Sequence, residues 1–199
     1  MKRGIYIVAI VFCLLANVSN AATGEKVKIA TIDMRKIENE SYVSHDLEKK
    51  MSAKEKEIRQ ELLSEKESLE QRFKALESKR SIKSAQQLQK DAQKLEIEYQ
   101  KFQNKANRYE KIFEKARMDS LIEINKNIKK ATNAIANSDS YDLVIALDSV
   151  LYINNDKFND ITGKILSKLN KISKTINYAK IYKAAENEFD KASGKDAKR

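Results

Sequence analysis

Four basic residues of this chain are regularly spaced. Lys94, Lys101, Arg108 and Lys115 recur every seven residues, so on an α-helix they form one row about 32 Å long at a rise of 1.5 Å per residue. Such a row attracts carboxylates and phosphates. Two interpretations stay open: a solvated helix face in a lysine-rich protein, or a surface that binds acidic chains or lipid phosphates. We call these four residues the basic ridge.

A second concentration of positive charge overlaps the start of the ridge. Residues 72–94 include seven basic and two acidic residues, which gives +5 over 23 residues. The seven, which we call the basic tip cluster, are Arg72, Lys74, Lys79, Arg80, Lys83, Lys90 and Lys94. The cluster is either a solvated surface or a contact site for an anionic membrane or an acidic partner, because clustered charge acts over a Debye length of about 8 Å.

The residue types that carry catalysis and metal binding are scarce. His45 is the only histidine, and the only cysteine, Cys13, lies within the first twenty residues. A Ser-His-Asp triad and the common His/Cys metal sites are therefore disfavoured, and no glycine-rich loop could cradle a phosphate. The sequence predicts a protein that is not an enzyme, with no metal site and no cofactor.

The start of the chain is typical of an exported protein. Lys2 and Arg3 precede an apolar run over residues 5–16, and small residues follow at positions 19–21. The pattern predicts a signal peptide at residues 1–21; a retained membrane anchor is the alternative, although the run is short for a span. Loss of Lys2 and Arg3 lowers the formal charge from +10 to +8. Outside the cytoplasm such a basic protein meets lipid head groups, envelope polysaccharide and acidic unfolded chains, so nucleic acid is disfavoured as a partner.

Long helices are predicted to position these charges. Between Gly24 and Gly163 the sequence has no glycine and no proline. Apolar residues recur at alternating steps of four and three, as in a heptad seam, at Leu88, Ala92, Leu95, Tyr99, Phe102, Ala106, Tyr109, Phe113 and Ala116. Between residues 47 and 73, apolar pairs recur every eleven residues instead. Because these two periods drift in opposite directions along a helix, the sequence predicts a loosely packed, bendable helix pair.

The two helical patterns are separated at residues 79–85, where apolar periodicity fails and two serines occur. We therefore predict an antiparallel coiled-coil hairpin over residues 41–136 with its tip near residues 79–85. Aromatic residues on the seams, such as Phe73 and Tyr99, are interpreted as core packing. Transient contact with a bound chain is the alternative.

Short apolar runs flank the hairpin. Residues 27–32, 141–147 and 150–153 are typical of strands, and the apolar spacing from 158 to 169 predicts a closing helix. These segments place a β-rich body in residues 22–40 and 137–171. The remaining residues, 172–199, are predicted to be a basic C-terminal extension that is partly disordered, with a frayed helix followed by a tail.

The predicted fold class is α+β, mainly α: a long antiparallel helical hairpin, or tentacle, on a small β body that trimerises. Three short strands are too few for independent stability. Several copies would therefore have to combine their sheets into one core. The residues expected in this trimeric body are Ile29, Ile32, Leu143, Val144, Ile145, Val150 and Tyr152.

Three segments, residues 28–34, 136–145 and 160–162, carry a resemblance to a known family. In them the chain resembles the Skp/OmpH family of periplasmic chaperones, and the resemblance extends to about Lys171. It implies a homotrimer with a β-rich body and three helical tentacles around a cavity, which holds unfolded outer-membrane proteins without ATP. It gives no account of the C-terminal extension. The lipopolysaccharide-binding residues proposed for some members do not align with particular positions here.

With this resemblance, the sequence predicts an ATP-independent holdase chaperone of the periplasm, exported by a cleavable signal peptide. It would bind unfolded outer-membrane β-barrel proteins in a cavity between helical arms and prevent their aggregation. The expected partners are itself, as a homotrimer, and those unfolded proteins; anionic lipid or lipopolysaccharide is a further candidate, and nucleic acid is not expected. The alternative is a structural coiled-coil or envelope-binding protein that holds no client.

Overall fold

The structure is a computed structural model that describes residues 26–196. In chain order its elements are β1 (Ile29–Ile32), α1 (Met34–Glu40), α2 (Tyr42–Ser78), α3 (Ala85–Ser138), β2 (Leu143–Ala146), β3 (Asn159–Asp160), α4 (Thr162–Ile172) and α5 (Tyr178–Asp196). The predicted class, mainly α with a long helical hairpin on a small sheet, is confirmed. The predicted signal peptide lies outside the described residues. No helix within the described range is long and apolar enough to cross a membrane.

The two long helices of the hairpin begin at serine caps. The hydroxyls of Ser41 and Ser84 each accept a hydrogen bond at 3.4 Å from the backbone N–H three residues later, which satisfies a donor that the helix leaves free. With 37 and 54 residues, α2 and α3 extend about 56 and 81 Å at 1.5 Å per residue. They run antiparallel, since Arg72 near the end of α2 pairs with Glu98 near the start of α3.

Residues 79–84 join α2 to α3 without a glycine. The backbone N–H groups of Ile82 and Lys83 both donate to the carbonyl oxygen of Lys79 at 3.1 Å, so the chain makes one more helix-like turn before it reverses. Among the described residues, Ser140 at a φ of 54° is the only non-glycine residue with positive φ. The tip therefore needs no left-handed residue, which explains why no glycine marks it in the sequence.

Packing within the hairpin decreases from the base toward the tip. The buried side chains of α2 are Val43, Leu47 and Ile58, and those of α3 begin only at Ile112. No residue between positions 59 and 111 is buried. The different apolar periods of the two helices explain this loose distal half, because side chains that meet at the base lose register farther along.

The sheet at the base of the hairpin is parallel throughout, with the strand order β2-β1-β3. Ile29 of β1 lies opposite Leu143 of β2, and the backbone N–H of Lys28 donates to the Asp142 carboxylate at 2.7 Å. Parallel neighbours require a long crossover, and the whole hairpin is the crossover between β1 and β2. The buried residues of β1 are Ala30, Thr31 and Ile32.

The strand predicted at residues 150–153, which includes Val150 and Tyr152, is not formed. After β2 the chain forms a 3-10 turn at Leu147–Ser149, and the N–H of Val150 donates back to the Leu147 carbonyl at 3.2 Å. This turn directs the chain away from the sheet, and Tyr152 is 82% exposed. The free edge of β1 is paired with β3 instead.

The C-terminal extension contains a helix, as predicted, but this helix is packed and not frayed. Residues 178–196 form the helix α5, and Tyr178, Tyr182 and Ala185 on it are buried. These residues and the half-buried Phe189 are spaced by four, three and four, so they form one apolar stripe that faces the hairpin. The abundance of Lys, Asn and Ala in this segment had concealed the stripe.

Candidate functional site

Apolar side chains stay uncovered between the distal halves of α2 and α3. They line a cleft of about 560 Å³, which we call the distal cleft. Its apolar lining residues are Leu69, Phe73 and Leu76 from α2 and Ala92, Leu95 and Tyr99 from α3. Phe73 is 53% exposed and Tyr99 is 48% exposed. Exposed aromatic rings around a cleft indicate a surface that binds apolar groups.

The cleft is open because the seam is underfilled there. The small side chain of Ala92 belongs to the same wall as Leu95 and faces the region of Phe73 and Leu76. A methyl group leaves unfilled space where a larger side chain would bring the helices into contact. The sequence placed Phe73 and Tyr99 on the seams, and the structure shows both rings only half-covered.

Charged residues surround this apolar lining. Lys66, Glu70, Lys74 and Glu96 lie at the cleft, and a guanidinium N–H of Arg72 donates to Glu98 across the two helices at 2.9 Å. The rim therefore offers both signs of charge around an apolar floor. Such a surface can accept side chains of many kinds without selecting one sequence.

The basic tip cluster is divided between two faces of the hairpin. Arg72, Lys79, Lys83 and Lys94 line one shallow surface together with Asp91, whereas Arg80 lies on the other face near Phe73. A hydrogen bond from Lys83 lowers the pKa of the Asp91 carboxyl, so Lys83 is already neutralised in part. Among the described residues, six predicted basic site residues form no ion pair: Lys74, Lys79, Arg80, Lys90, Lys94 and Lys101.

The basic ridge is divided as well. Arg108 donates to both carboxylate oxygens of Asp190 at 2.9 and 3.0 Å and to Glu186 at 3.2 Å. Lys115 lies 3.4 Å from Glu188. All three acidic residues belong to α5. Arg108 is therefore partly covered by this helix. Lys115, which also contacts Asp119 of its own helix at 2.9 Å, stays exposed at the margin of α5, and Lys94 and Lys101 are exposed.

A polar clamp that the sequence did not reveal marks the boundary between the packed base and the open arm. Lys105 of α3 lies 2.8 Å from Glu61 and 2.6 Å from Glu65 of α2, and the Tyr109 hydroxyl donates to Glu61 at 2.8 Å. The hydrogen bonds that Lys105 donates to the two glutamates raise the pKa of Lys105. The hydrogen bond that Glu61 accepts from Lys105 lowers the pKa of Glu61, and the hydrogen bond from Tyr109 lowers it further. The sequence signal for this clamp is a pair of glutamates four residues apart, Glu61 and Glu65, on the helix opposite Lys105.

Comparison with known proteins places this architecture in a family. A family model described as outer membrane protein (OmpH-like) matches residues 28–169, which is most of the chain. The chain belongs to the OmpH-like family. A search of curated protein sequences finds no match.

The OmpH-like fold is also found in a solved structure. The chain is similar to a Caulobacter crescentus CB15 protein that was assigned as an outer membrane chaperone (OmpH-like), with a TM-score of 0.70 and 17% sequence identity. The match covers 75% of this chain and 87% of the other. The family model ends at residue 169, before α5 begins. In this OmpH-like chain α5 therefore lies outside the segment that the family model matches.

The residues expected in a trimeric body occupy different environments in the OmpH-like chain. Ile32 is buried, and Ile29, Val144, Ile145 and Val150 are half-buried. Leu143 is 47% exposed at the edge of the sheet. The base of α3 and the segment after β2 carry further exposed large apolar residues: Met118, Leu121, Ile122, Leu151 and Tyr152. One copy of the chain thus leaves much apolar side-chain surface at its base in contact with water.

Proposed function

We propose that this OmpH-like protein is an ATP-independent holdase chaperone of the periplasm that binds unfolded outer-membrane β-barrel proteins and prevents their aggregation. The observation that carries the proposal is the distal cleft, where Phe73 and Tyr99 are half-exposed in a loosely packed arm. Membership of the family and likeness to a protein assigned as a chaperone support a chaperone role in general. The mechanism requires no catalysis, metal or cofactor.

The holding step proposed here depends on many weak apolar contacts. Burial of apolar surface contributes about 25 cal/mol per Å², so a client side chain that covers one half-exposed ring gains roughly 1–2 kcal/mol. Several such contacts retain a chain, yet each one breaks easily. Release then needs no ATP, because folding of the client into its membrane is far more favourable than the held state.

The basic tip cluster adds attraction without sequence specificity. Lys79, Arg80 and Lys90 form no ion pair among the described residues and lie at or near the tip of the hairpin. They would steer acidic unfolded chains toward the cleft, an effect that acts mainly on the association rate. Anionic lipid or lipopolysaccharide is a second ligand with the same charge requirement.

The assembly proposed is a homotrimer whose three arms enclose a cavity. Support comes from the exposed apolar residues at the base, Ile122, Leu143 and Tyr152 among them, since a soluble monomer rarely keeps so much apolar surface in water. A second support is the small size of the sheet, with strands of four, four and two residues. Periplasmic location rests on the signal peptide predicted at residues 1–21.

An aggregation assay tests the proposal. An unfolded outer-membrane β-barrel protein is diluted from urea with the mature chain (residues 22–199), and light scattering is followed. We expect the wild type to suppress scattering and the Phe73→Gln/Tyr99→Gln variant to do so less. Tyr42→Gln/Ile172→Gln changes two exposed apolar residues at the base and is the matched control.

Equal scattering with and without the protein would contradict the proposal. That result would favour the alternative, a structural or envelope-binding coiled coil that holds no client. Suppression that is lost equally in both variants would mean that the distal cleft is not where clients are held.

A further inference from the structure

The helix α5 covers a surface on the base of the arm. Its connection from α4 is fastened to α2, where Lys50 donates to the Ile176 carbonyl at 2.7 Å and the Ile176 N–H donates to Asp46 at 2.9 Å. From there Tyr178, Tyr182 and Ala185 are buried against the hairpin. The covered surface includes Arg108 of the basic ridge, and the exposed Lys115 lies at its margin.

The chemistry of this interface is that of a basic apolar surface and an acidic aromatic ligand. The α3 side contributes Arg108, Lys115 and the buried Ile112, which lies one turn from Arg108. The α5 side contributes tyrosine rings together with Glu186, Glu188 and Asp190. Lys54 of α2 also lies 4.8 Å from the centre of the Tyr182 ring. The distal arm offers a bound chain the same features, which are basic charge and apolar groups on loosely packed helices.

The fit of α5 on this surface is incomplete. Within the described chain neither the Tyr178 nor the Tyr182 hydroxyl has a hydrogen-bond partner, although both atoms are buried. Burial raises the pKa of both phenols to about 12. A cavity of about 410 Å³ also lies beside the joint, lined by Lys50, Ile176 and both tyrosines among others. Buried hydroxyls without partners favour the displaced state, in which water would satisfy them.

The other elements of the fold all precede α5 in the chain. The segment matched by the family model ends at residue 169, and the sheet, the hairpin and α4 all end at or before Ile172. The Arg108, Glu186 and Asp190 side chains also keep about a third to a half of their surface in water, so water and salt can compete for these ion pairs.

We propose that α5 is an internal occupant of a second client-binding surface, formed by Arg108, Ile112 and Lys115 of α3 with Lys54 of α2. An acidic, aromatic-rich segment of an unfolded chain displaces it. This inference rests on the proposed holdase function and concerns its regulation. Because a client binds here only when α5 is away, the apparent affinity falls in proportion to the fraction of time that the surface is open. Weakly matching chains are thereby rejected, and strongly matching chains gain contacts beyond the distal cleft.

The test uses the full mature chain and a variant that releases α5. Glu186→Lys/Asp190→Lys places positive charges opposite Arg108 and removes four hydrogen bonds. Glu67→Lys/Glu110→Lys makes the same change in net charge at exposed glutamates that form no ion pair within the described range, and is the control. Hydrogen–deuterium exchange of residues 178–194 reports release, since amides of an undocked helix exchange faster.

The binding probe is a labelled synthetic peptide of residues 174–196. If α5 is docked nine-tenths of the time, the release variant should bind the peptide about tenfold more tightly than the wild type, and the control should match the wild type. Adding Arg108→Glu to the release variant restores opposite charges, and should slow exchange of α5 again. A milder variant, Asp190→Lys alone, leaves Glu186 beside Arg108 and should give a smaller shift in the same direction if the double variant proves unstable.

Unfolded β-barrel protein is the second ligand, and it separates this inference from the proposed function. A wild type that holds no unfolded client refutes the holdase. A wild type that holds clients, with a release variant that holds them no more tightly although its α5 exchanges faster, overturns the inference. Weaker peptide or client binding by the release variant would also overturn it, and would identify α5 as a brace that the binding surface requires.

Discussion

The Tyr109 hydroxyl of α3 donates a 2.8 Å hydrogen bond to Glu61 of α2, and this bond lies where the interior of the arm changes. On the base side, Ile58 and Ile112 are buried and α5 adds a third helix. On the tip side no residue between 59 and 111 is buried. The arm therefore has a packed base and an open distal half, joined by a polar clamp of Glu61, Glu65, Lys105 and Tyr109.

The clamp should contribute measurably to stability. Replacing Lys105 by Met removes its contacts with Glu61 and Glu65 and leaves two carboxylates near each other. Because the Lys105 side chain is about one-third exposed, we expect the free energy of unfolding to fall by only about 0.5–1 kcal/mol. Urea unfolding measures this, with Lys101→Met as a control at an exposed lysine. A fall of equal size in the control would show that the clamp contributes nothing specific.

The contribution of the clamp should depend on pH in a defined direction. The folded-state pKa of Glu61 is lowered, so this contribution is present above the unfolded glutamate pKa of about 4.3 and is lost as pH falls through the lower folded value. The pKa of Lys105 is raised, so its contribution is present below the unfolded lysine pKa of about 10.4 and is lost as pH rises beyond it. The stability difference between wild type and Lys105→Met should therefore be largest between these limits. A difference that grows toward acid pH would contradict the assignment.

Tyr182 and Tyr109 should respond in opposite ways to loss of their hydroxyls. Tyr182→Phe removes a buried hydroxyl that has no partner in the described structure, so we expect the free energy of unfolding to stay level or rise by up to about 1 kcal/mol. Tyr109→Phe removes the hydrogen bond to Glu61 and should lower the free energy of unfolding by about 1 kcal/mol. Thermal unfolding at neutral pH compares the two. If α5 competes with clients, Tyr182→Phe should also bind clients more weakly than the wild type.

The basic tip cluster should act on the rate of client capture. Lys79, Arg80 and Lys90 form no ion pair in the described structure, whereas Lys83 hydrogen-bonds to Asp91. Reversing Lys79, Arg80 and Lys90 to Glu changes the charge by six units without removing a packed side chain or an ion pair. Stopped-flow capture of an acidic unfolded barrel should slow at low salt, and the slowing should shrink at high salt. Unchanged rates at both salt concentrations would show that the tip charge only keeps the arm solvated.

Assembly and folding can be separated at the sheet. Leu143 is 47% exposed at the edge, whereas Ala30 in the central strand is fully buried. Leu143→Asp should leave the chain folded but dissociate the proposed trimer, because it places a charge where subunits would meet. Ala30→Asp should unfold the chain itself by burying an unpaired charge. Sedimentation with circular dichroism distinguishes these results. A wild type that sediments as a folded monomer would contradict the proposed trimer.

The sequence predicts the hairpin well and the peripheral elements poorly, for physical reasons. Helices as long as α2 and α3 follow from the lack of Gly and Pro and from sustained apolar periods, which are local signals. The strand β3 is two polar residues, Asn159 and Asp160, whose pairing depends on contacts such as the bond from the Ile161 N–H to the Thr31 carbonyl at 3.0 Å. No local sequence pattern predicts such a strand.

The candidate site, too, could be predicted from the sequence only in part. The positions of Phe73 and Tyr99 on the seams could be predicted, but their exposure depends on how closely two separate helices approach. The row of basic residues could also be predicted, yet the partial covering of Arg108 depends on Glu186 and Asp190 of α5, which lie more than seventy residues away in sequence. The apolar stripe on α5 was present in the sequence as steps of four, three and four from Tyr178.

The parallel pairing of β1 with β2 has a consequence for the order in which the molecule folds. The bond between Lys28 and Asp142 joins residues 114 positions apart, and closing an open loop of that length would cost about 4 kcal/mol of chain entropy. A hairpin that has already closed from its tip brings the two ends together and removes most of that cost. We therefore expect helix pairing to precede the sheet, and the sheet to precede assembly of the proposed trimer. A newly made chain would thus complete its own arm before it could join the proposed trimer.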